Sequence, residues 1–303
     1  MSESQAENNS FKAKLVILVF NLVGILPLFL LRAIGKAAGY LIFRQQGRSY
    51  QVTMRNLELC FPEMPEPERL DMTRRSLIET GMLGAEVMQV WARPWAKTRN
   101  KIVKVNGLEK FTDPVNSDKA TILLAPHLGN WEVLGLYMAE FGQMMCLYQP
   151  PKQAIFEGII KQSREKSGTV AVPTNKKGVM ALMKALKKGG TTGILPDQQP
   201  ELSGGCFAPF FGVDALTITL ISSLIQRNDC RVVMGYAKRV AEGYEVNFTD
   251  PDPEIYSDDQ LTSVTAMNRS VEACVMDCPE QYQWEYKRFN KQPEGQPRFY
   301  KKM

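Results

Sequence analysis

Residues 15–31 read LVILVFNLVGILPLFLL, an apolar run broken only by Asn21, Gly24 and Pro27. As a helix its 17 residues would extend roughly 25 Å, just short of the ~30 Å hydrocarbon core of a bilayer, and the moderately apolar stretch to Phe43 lengthens it. The run is expected to cross a membrane or lie deep in one leaflet as a retained anchor. A cleaved signal peptide and a buried core helix are the competing readings. From 51 to 94 apolar residues recur at three and four, which predicts helix, punctuated by the Pro-rich 61–65. Beyond Trp95 the period changes. Residues 121–125 (TILLA) form a short apolar run ending at Pro126, as a buried strand does, and 131–141 read as the following helix. The alternation recurs, with an amphipathic helix at 176–188, strands at 192–195, 231–236 and 244–248, and a helix at 261–276. This pattern predicts an α/β fold, a mixed and mostly buried sheet flanked by helices, preceded by an N-terminal hydrophobic membrane-anchor helix. We divide it into a tail and anchor at 1–48 and a catalytic domain at 49–303.

Charge sharpens the membrane reading. Residues 11–55 carry seven Lys or Arg and no acid, the last 23 residues are net +4, and 56–280 are net −4. Two bases precede the apolar run and five follow it, so the positive-inside rule puts the body in the cytoplasm. A nucleic-acid binder would instead spread positive charge over a folded face with interleaved aromatics, so no nucleic-acid partner is expected. Six cysteines in 303 residues are too sparse for a disulfide scaffold, and Cys274 and Cys278 are spaced for neither a redox pair nor a zinc site. No metal or cofactor is expected.

The chain has one histidine, in Ala125-Pro126-His127-Leu128-Gly129-Asn130-Trp131-Glu132. Inside one helix, His127 and Glu132 would point about 140° apart. If Asn130 caps a helix starting after it, Glu132 sits in the first turn, favoured by the helix dipole, and His127 on the incoming loop can fold back to meet it. A carboxylate on one imidazole nitrogen orients the ring and leaves the other to take a proton from a hydroxyl. No Gly-x-Ser-x-Gly elbow occurs, so the hydroxyl is expected to belong to a substrate. Taken alone, a single histidine is more often a hydrogen-bonded structural residue.

The segment HLGNWE, Tyr148 to Lys152 (YQPPK), Arg164 to Gly168 (REKSG), LPDQQP from Leu195, PFFG from Pro209 with Thr217, and YQWEYKRF from Tyr282 together resemble the lipid A late acyltransferases, within the wider glycerolipid acyltransferase superfamily. The motifs stand in the family's order, and Asn56, Cys60 and Phe61-Pro62-Glu63 extend the likeness toward the N-terminus. The resemblance implies an inner-membrane enzyme of a Gram-negative bacterium, with its active site on the cytoplasmic side. It would move a fatty acyl chain from an acyl-carrier-protein thioester to a hydroxyl of a lipid A precursor. By the same analogy His127 is the general base and Glu132 its partner. Arg164 would help hold the reaction centre by binding the oxyanion or a substrate phosphate, and Asp197 and Gln198 would shape the site from a neighbouring strand end. Trp131 is expected to pack and Asn130 to cap. Gln149 stands where many relatives carry a base, and Lys152 is the substitute.

Lys176, Lys177, Lys184, Lys187 and Lys188 fit either an acidic carrier protein or lipid phosphates, or a solvated face, and the basic C-terminal tail poses the same choice. Methionines around 138–145 and 180–183 fit either core filling or an acyl-chain groove. Two alternatives share the anchor and basic patches. One is an acyltransferase of the same fold acting on a lysophospholipid, aminolipid or glycolipid; the other is a non-catalytic, membrane-bound lipid-binding protein. A thiol-nucleophile hydrolase is more distant, since no cysteine lies near His127 in sequence.

Overall fold

A computed structural model describes residues 18, 22–116, 119–148 and 168–300. Strands β1 (Ile102–Asn106), β2 (Ala120–Leu124), β3 (Met144–Tyr148), β4 (Val170–Pro173), β5 (Thr191–Ile194), β8 (Cys230–Val240) and β9 (Gly243–Thr249) form one sheet, ordered β1-β9-β8-β2-β5-β3-β4. Every neighbouring pair is parallel except β8 with β9. All of β2 is buried, as expected of a central strand covered on both faces. Its alternation sorts two cores: Ile122 and Leu124 pack with Val232 and Met234 on one face, Leu123 with Val233 and Ala237 on the other.

The helices are α1 (Leu28–Gln45), α2 (Arg48–Cys60), α3 (Glu66–Ala92), α4 (Trp95–Arg99), α5 (Glu109–Asn116), α6 (Trp131–Met138), α7 (Lys176–Leu186), α8 (Leu220–Arg227) and α9 (Gln260–Asp277). Asn175 caps α7 and Asp259 caps α9, each accepting from backbone N–H groups of the first turn. Between β5 and α8 lies an antiparallel hairpin, β6 (Gly205–Phe210) and β7 (Val213–Ile218). It turns through Phe211 and Gly212, both at positive φ. The expected strands at 121–125, 192–195, 231–236 and 244–248 correspond to β2, β5, β8 and β9.

The expected anchor helix needs correction. Pro27 interrupts the 15–31 run, leaving a helical turn at 22–25 and starting α1 afresh, because proline has no N–H to donate and disfavours helix in the residue before it. No helix among the described residues is long and apolar enough to cross a membrane. The rest of the run, 15–17 and 19–21, lies outside the described residues.

Instead, α1 packs along α3. A Cβ on Gly39 would stand 2.3 Å from the Leu77 carbonyl oxygen, and one on Gly81 2.2 Å from that of Gly35, so this contact is backbone against backbone. Arg32, buried in α1, pairs with Glu86 of α3 at 2.6 Å and donates to the Gly243 carbonyl of β9 at 2.8 Å. Glu86 also takes Arg239 of β8 at 3.0 Å, and Arg239 pairs with Glu79. The C-terminal segment returns beneath the sheet, where Asn56 of α2 donates to the carbonyls of Trp284 and Tyr286. Phe61 packs on Phe211 and Trp284, and Arg288 bonds Thr217 at 2.6 Å. The separate motifs at 56–61, 209–217 and 282–289 thus form one platform.

Candidate active site

β2 and β5 are adjacent and parallel, with Leu124 opposite Ile194. Each leaves the sheet through the same local sequence, one residue, a proline and then a polar side chain: Ala125-Pro126-His127 and Leu195-Pro196-Asp197. Equal spacing from paired strand ends therefore brings His127 and Asp197 together at the C-terminal edge of the sheet, where open α/β folds bind ligands.

The loop carrying His127 is held at several points. Gln283 N–H donates to the His127 carbonyl, Gly129 N–H to that of Gln281, and Asn130 N–H to that of Ala237. Gly129 has φ +61°, and a Cβ there would lie 2.1 Å from the Ala237 carbonyl oxygen, so the loop approaches β8 only because this residue is glycine. Asn130 caps α6 as expected, its Oδ1 accepting from Val133 N–H at 3.2 Å while its Nδ2 donates to Glu86 at 3.1 Å.

Asp197 grips His127 twice. Its Oδ1 lies 2.8 Å from Nδ1, and its Oδ2 accepts from the His127 backbone N–H at 2.9 Å. Burial alone would raise the Asp197 carboxyl, but the charge of His127 and these two hydrogen bonds hold it below the usual carboxylate range. With Nδ1–H directed at the carboxylate, Nε2 presents its lone pair, which meets the Gln198 amide nitrogen at 3.1 Å. Trp131 packs edge-on against the imidazole, with ring centroids 4.8 Å apart. Tyr282, fully enclosed, hydrogen-bonds Asp197, and burial first and that carboxylate second push its phenol upward.

The partner expected for His127 was Glu132. Among the described residues the ring's hydrogen bonds go to Asp197 and Gln198 instead. Glu132 does stand in the first turn of α6, but its Oε2 accepts from the Trp91 indole at 3.0 Å, toward α3. The topology accounts for the Asp197 contact: the loop turns His127 toward the end of β5, while Glu132 stands on α6 at the cavity wall. Lys152 and Arg164, with Gln149, lie outside the described residues. Tyr282 and Gln281 of the C-terminal segment bind to this site; the YQWEYKRF resemblance begins at Tyr282, and no signal in the sequence marks Gln281.

A narrow apolar cavity of about 80 Å³ opens beside this pair, between the sheet and α6. Ala125, Trp131, Glu132 and Leu195 stand at the His127 end, and Leu123, Cys146 and Gly193 line its depth. A site of this kind can draw a proton from a hydroxyl while sheltering a hydrocarbon chain. Burial raises the thiols of Cys60, Cys206, Cys230, Cys274 and Cys278, that of Cys230 to about 11 and that of Cys274 to about 12, which makes them poor nucleophiles at neutral pH. Among the described residues no three His, Cys, Asp or Glu side chains are grouped to hold a metal ion.

Residues 5–291 match the model of a family described as bacterial lipid A biosynthesis acyltransferase. The chain is 29% identical over 281 residues to the lipid A biosynthesis lauroyltransferase of Escherichia coli K12, covering 91% of this chain and 90% of that protein. It is 28% identical to the lipid A biosynthesis palmitoleoyltransferase of the same organism, covering 84% and 82% respectively. It is also 28% identical to a lipid A biosynthesis acyltransferase of Haemophilus influenzae, covering 89% and 87%.

Proposed function

Because the chain belongs to the bacterial lipid A biosynthesis acyltransferase family and is an acyltransferase, we propose that it transfers a fatty acyl chain from an acyl-carrier-protein thioester to a hydroxyl of a lipid A precursor. The observation that carries the mechanism is the double grip of Asp197 on His127, with an apolar cavity lined by the neighbouring Trp131 and Leu195.

In the proposed reaction the acceptor hydroxyl takes the place of the Gln198 amide at Nε2 and gives its proton to the imidazole. Its oxygen attacks the thioester carbonyl, forming a C–O bond. The tetrahedral intermediate collapses as the C–S bond breaks, and the departing thiolate takes the proton back from the imidazolium. No covalent acyl-enzyme is formed. Asp197 fixes the ring and stabilises the imidazolium while it exists. The Gln198 amide, once displaced, is within reach to donate to the oxyanion. Arg164, Lys152 and Glu132 enter the proposal through the family resemblance, Arg164 as the cation facing developing negative charge and Lys152 as a substrate contact. Glu132, buried at the cavity wall, adds a carboxylate beside the reacting groups. Asn130 acts by capping α6 and so fixing where the loop ends.

Membrane association belongs to the same proposal. Ile25 and Phe29 are 74% and 76% exposed, and Leu22, Ile34 and Leu41 are more than half exposed, on the side of the N-terminal helices turned away from α3. With the flanking bases, this face fits the cytoplasmic surface of the inner membrane of a Gram-negative bacterium.

The test offers purified enzyme a mixture of acyl-carrier thioesters with a tetra-acylated lipid A precursor, and in parallel with lysophospholipid, aminolipid and glycolipid acceptors, and reads products by mass spectrometry. One added chain on the lipid A precursor is expected. Transfer only to another acceptor, or none to any with thioesters intact, would overturn the assignment.

A further inference from the structure

Met144 lines the apolar cavity beside Trp131, and we propose that its thioether is the end-stop that sets the length of acyl chain the enzyme accepts. The inference rests on the proposed reading of that cavity as the acyl-chain site.

The register of the sheet lays out the depth of the cavity. Leu123 of β2 pairs with Gly193 of β5, and Gly193 pairs with Cys146 of β3, so these three lie in one row across the face covered by α6. All three line the cavity. One row further from the catalytic edge stand Thr121, Thr191 and Met144. Thr191 does not reach this cavity, whereas Met144 does. Its side chain leans along the strand toward the row above. A Cβ built on Gly193 would stand 3.1 Å from the Met144 Sδ and 3.5 Å from its Cε. Glycine at 193 therefore leaves room for the thioether beside the Leu123–Gly193–Cys146 row.

Beyond Met144 the molecule is not filled. A second cavity, of about 380 Å³, lies at the opposite end of the strands, lined by Met138, Phe141, Gln143, Gly190 and Thr191 together with Met144. Met144 is the residue that both cavities share among the described residues. It is 5% exposed and stands between the two cavities. Methionine suits the position, being unbranched and apolar. Met180, in the other methionine cluster noted in the sequence, is 68% exposed and does not line the slot.

Shortening this one side chain would join the two cavities and let a chain extend past the β3–β5 row. Each further methylene buried favours binding roughly fourfold, so two would shift the preference by about tenfold or more. Filling the slot nearer its mouth has the opposite effect.

The experiment competes saturated acyl-carrier thioesters of graded length for the lipid A precursor, using wild type, Met144→Ala and Cys146→Phe, each checked for folding by circular dichroism. Met144→Ala is expected to raise the ratio of the longer to the wild-type-preferred product about tenfold or more. Cys146→Phe, one row nearer the mouth, is expected to shift the preference toward shorter chains and keeps the idea testable if the alanine variant does not fold. Active, folded variants with the wild-type length profile would overturn the end-stop while leaving the reaction intact. A wild type that transfers no chain overturns the reading of the site, and the end-stop with it.

Discussion

The carboxylate that hydrogen-bonds the His127 ring is Asp197, 2.8 Å from Nδ1. Glu132 is five residues from the histidine and Asp197 is seventy, yet paired strand ends in register decide the contact. His127 was legible because it is the single histidine in the chain. Its orienting carboxylate was less legible, although the repeated strand-proline-polar pattern at 125–127 and 195–197 carried that information. Asp197→Asn keeps the shape but removes the charge, and is expected to lower kcat about 10²-fold or more in the acyl-transfer assay. The same substitution has a stability signature. The Asp197 carboxyl is held below its ordinary value in the folded protein, so its contribution to stability is present above the unfolded pKa of about 4 and lost as pH falls through the folded one. Urea unfolding followed from pH 6 downward is therefore expected to show an acid-side loss in wild type that is shallower in Asp197→Asn. An unchanged slope would mean that the buried carboxylate gains nothing from His127.

Among the elements, those that the sequence exposed are the ones whose burial is uniform or strictly periodic. β2 is buried on both faces and reads as an unbroken apolar run, and α9 is amphipathic with Asp259 as its cap. β1, with Lys104 and exposed positions, and β6, with Pro209 inside it, present weak strand signals and emerge only from their partners. The apolar run at 15–31 misled in one respect, since hydropathy does not register that Pro27 ends one helical segment and begins another. Nor did composition show that Arg32, which looked like a flanking base, is buried in an ion network with Glu86 and the strand end at Gly243. The pairing of α1 with α3 depends on glycines that permit backbone contact. Gly39→Val is expected to cost about 2 kcal/mol or more through overpacking. It would be read as a lowered midpoint in chemical denaturation, while the exposed Gly84→Ala, with open space at its Cβ, serves as the control with little loss.

Across the whole molecule, the proposed function assigns three separate tasks to three places: a base to the C-terminal edge of the sheet, a place for a hydrocarbon chain to the apolar slot, and a surface for a bilayer to the exposed face of α1. The exposed face is testable apart from catalysis. Phe29→Glu combined with Ile25→Glu is expected to weaken sedimentation with anionic phospholipid vesicles about tenfold or more, by removing apolar insertion and adding like charge. Unaltered binding would move the membrane contact elsewhere on the chain.

Whether His127 acts as the base toward a lipid hydroxyl is read directly from the rate of acyl transfer to the lipid A precursor by wild type and by folded His127→Ala. Loss of transfer by about 10³-fold or more, with the carrier thioester left intact, is the predicted result. Transfer by the alanine variant at the wild-type rate would mean that another group takes the proton.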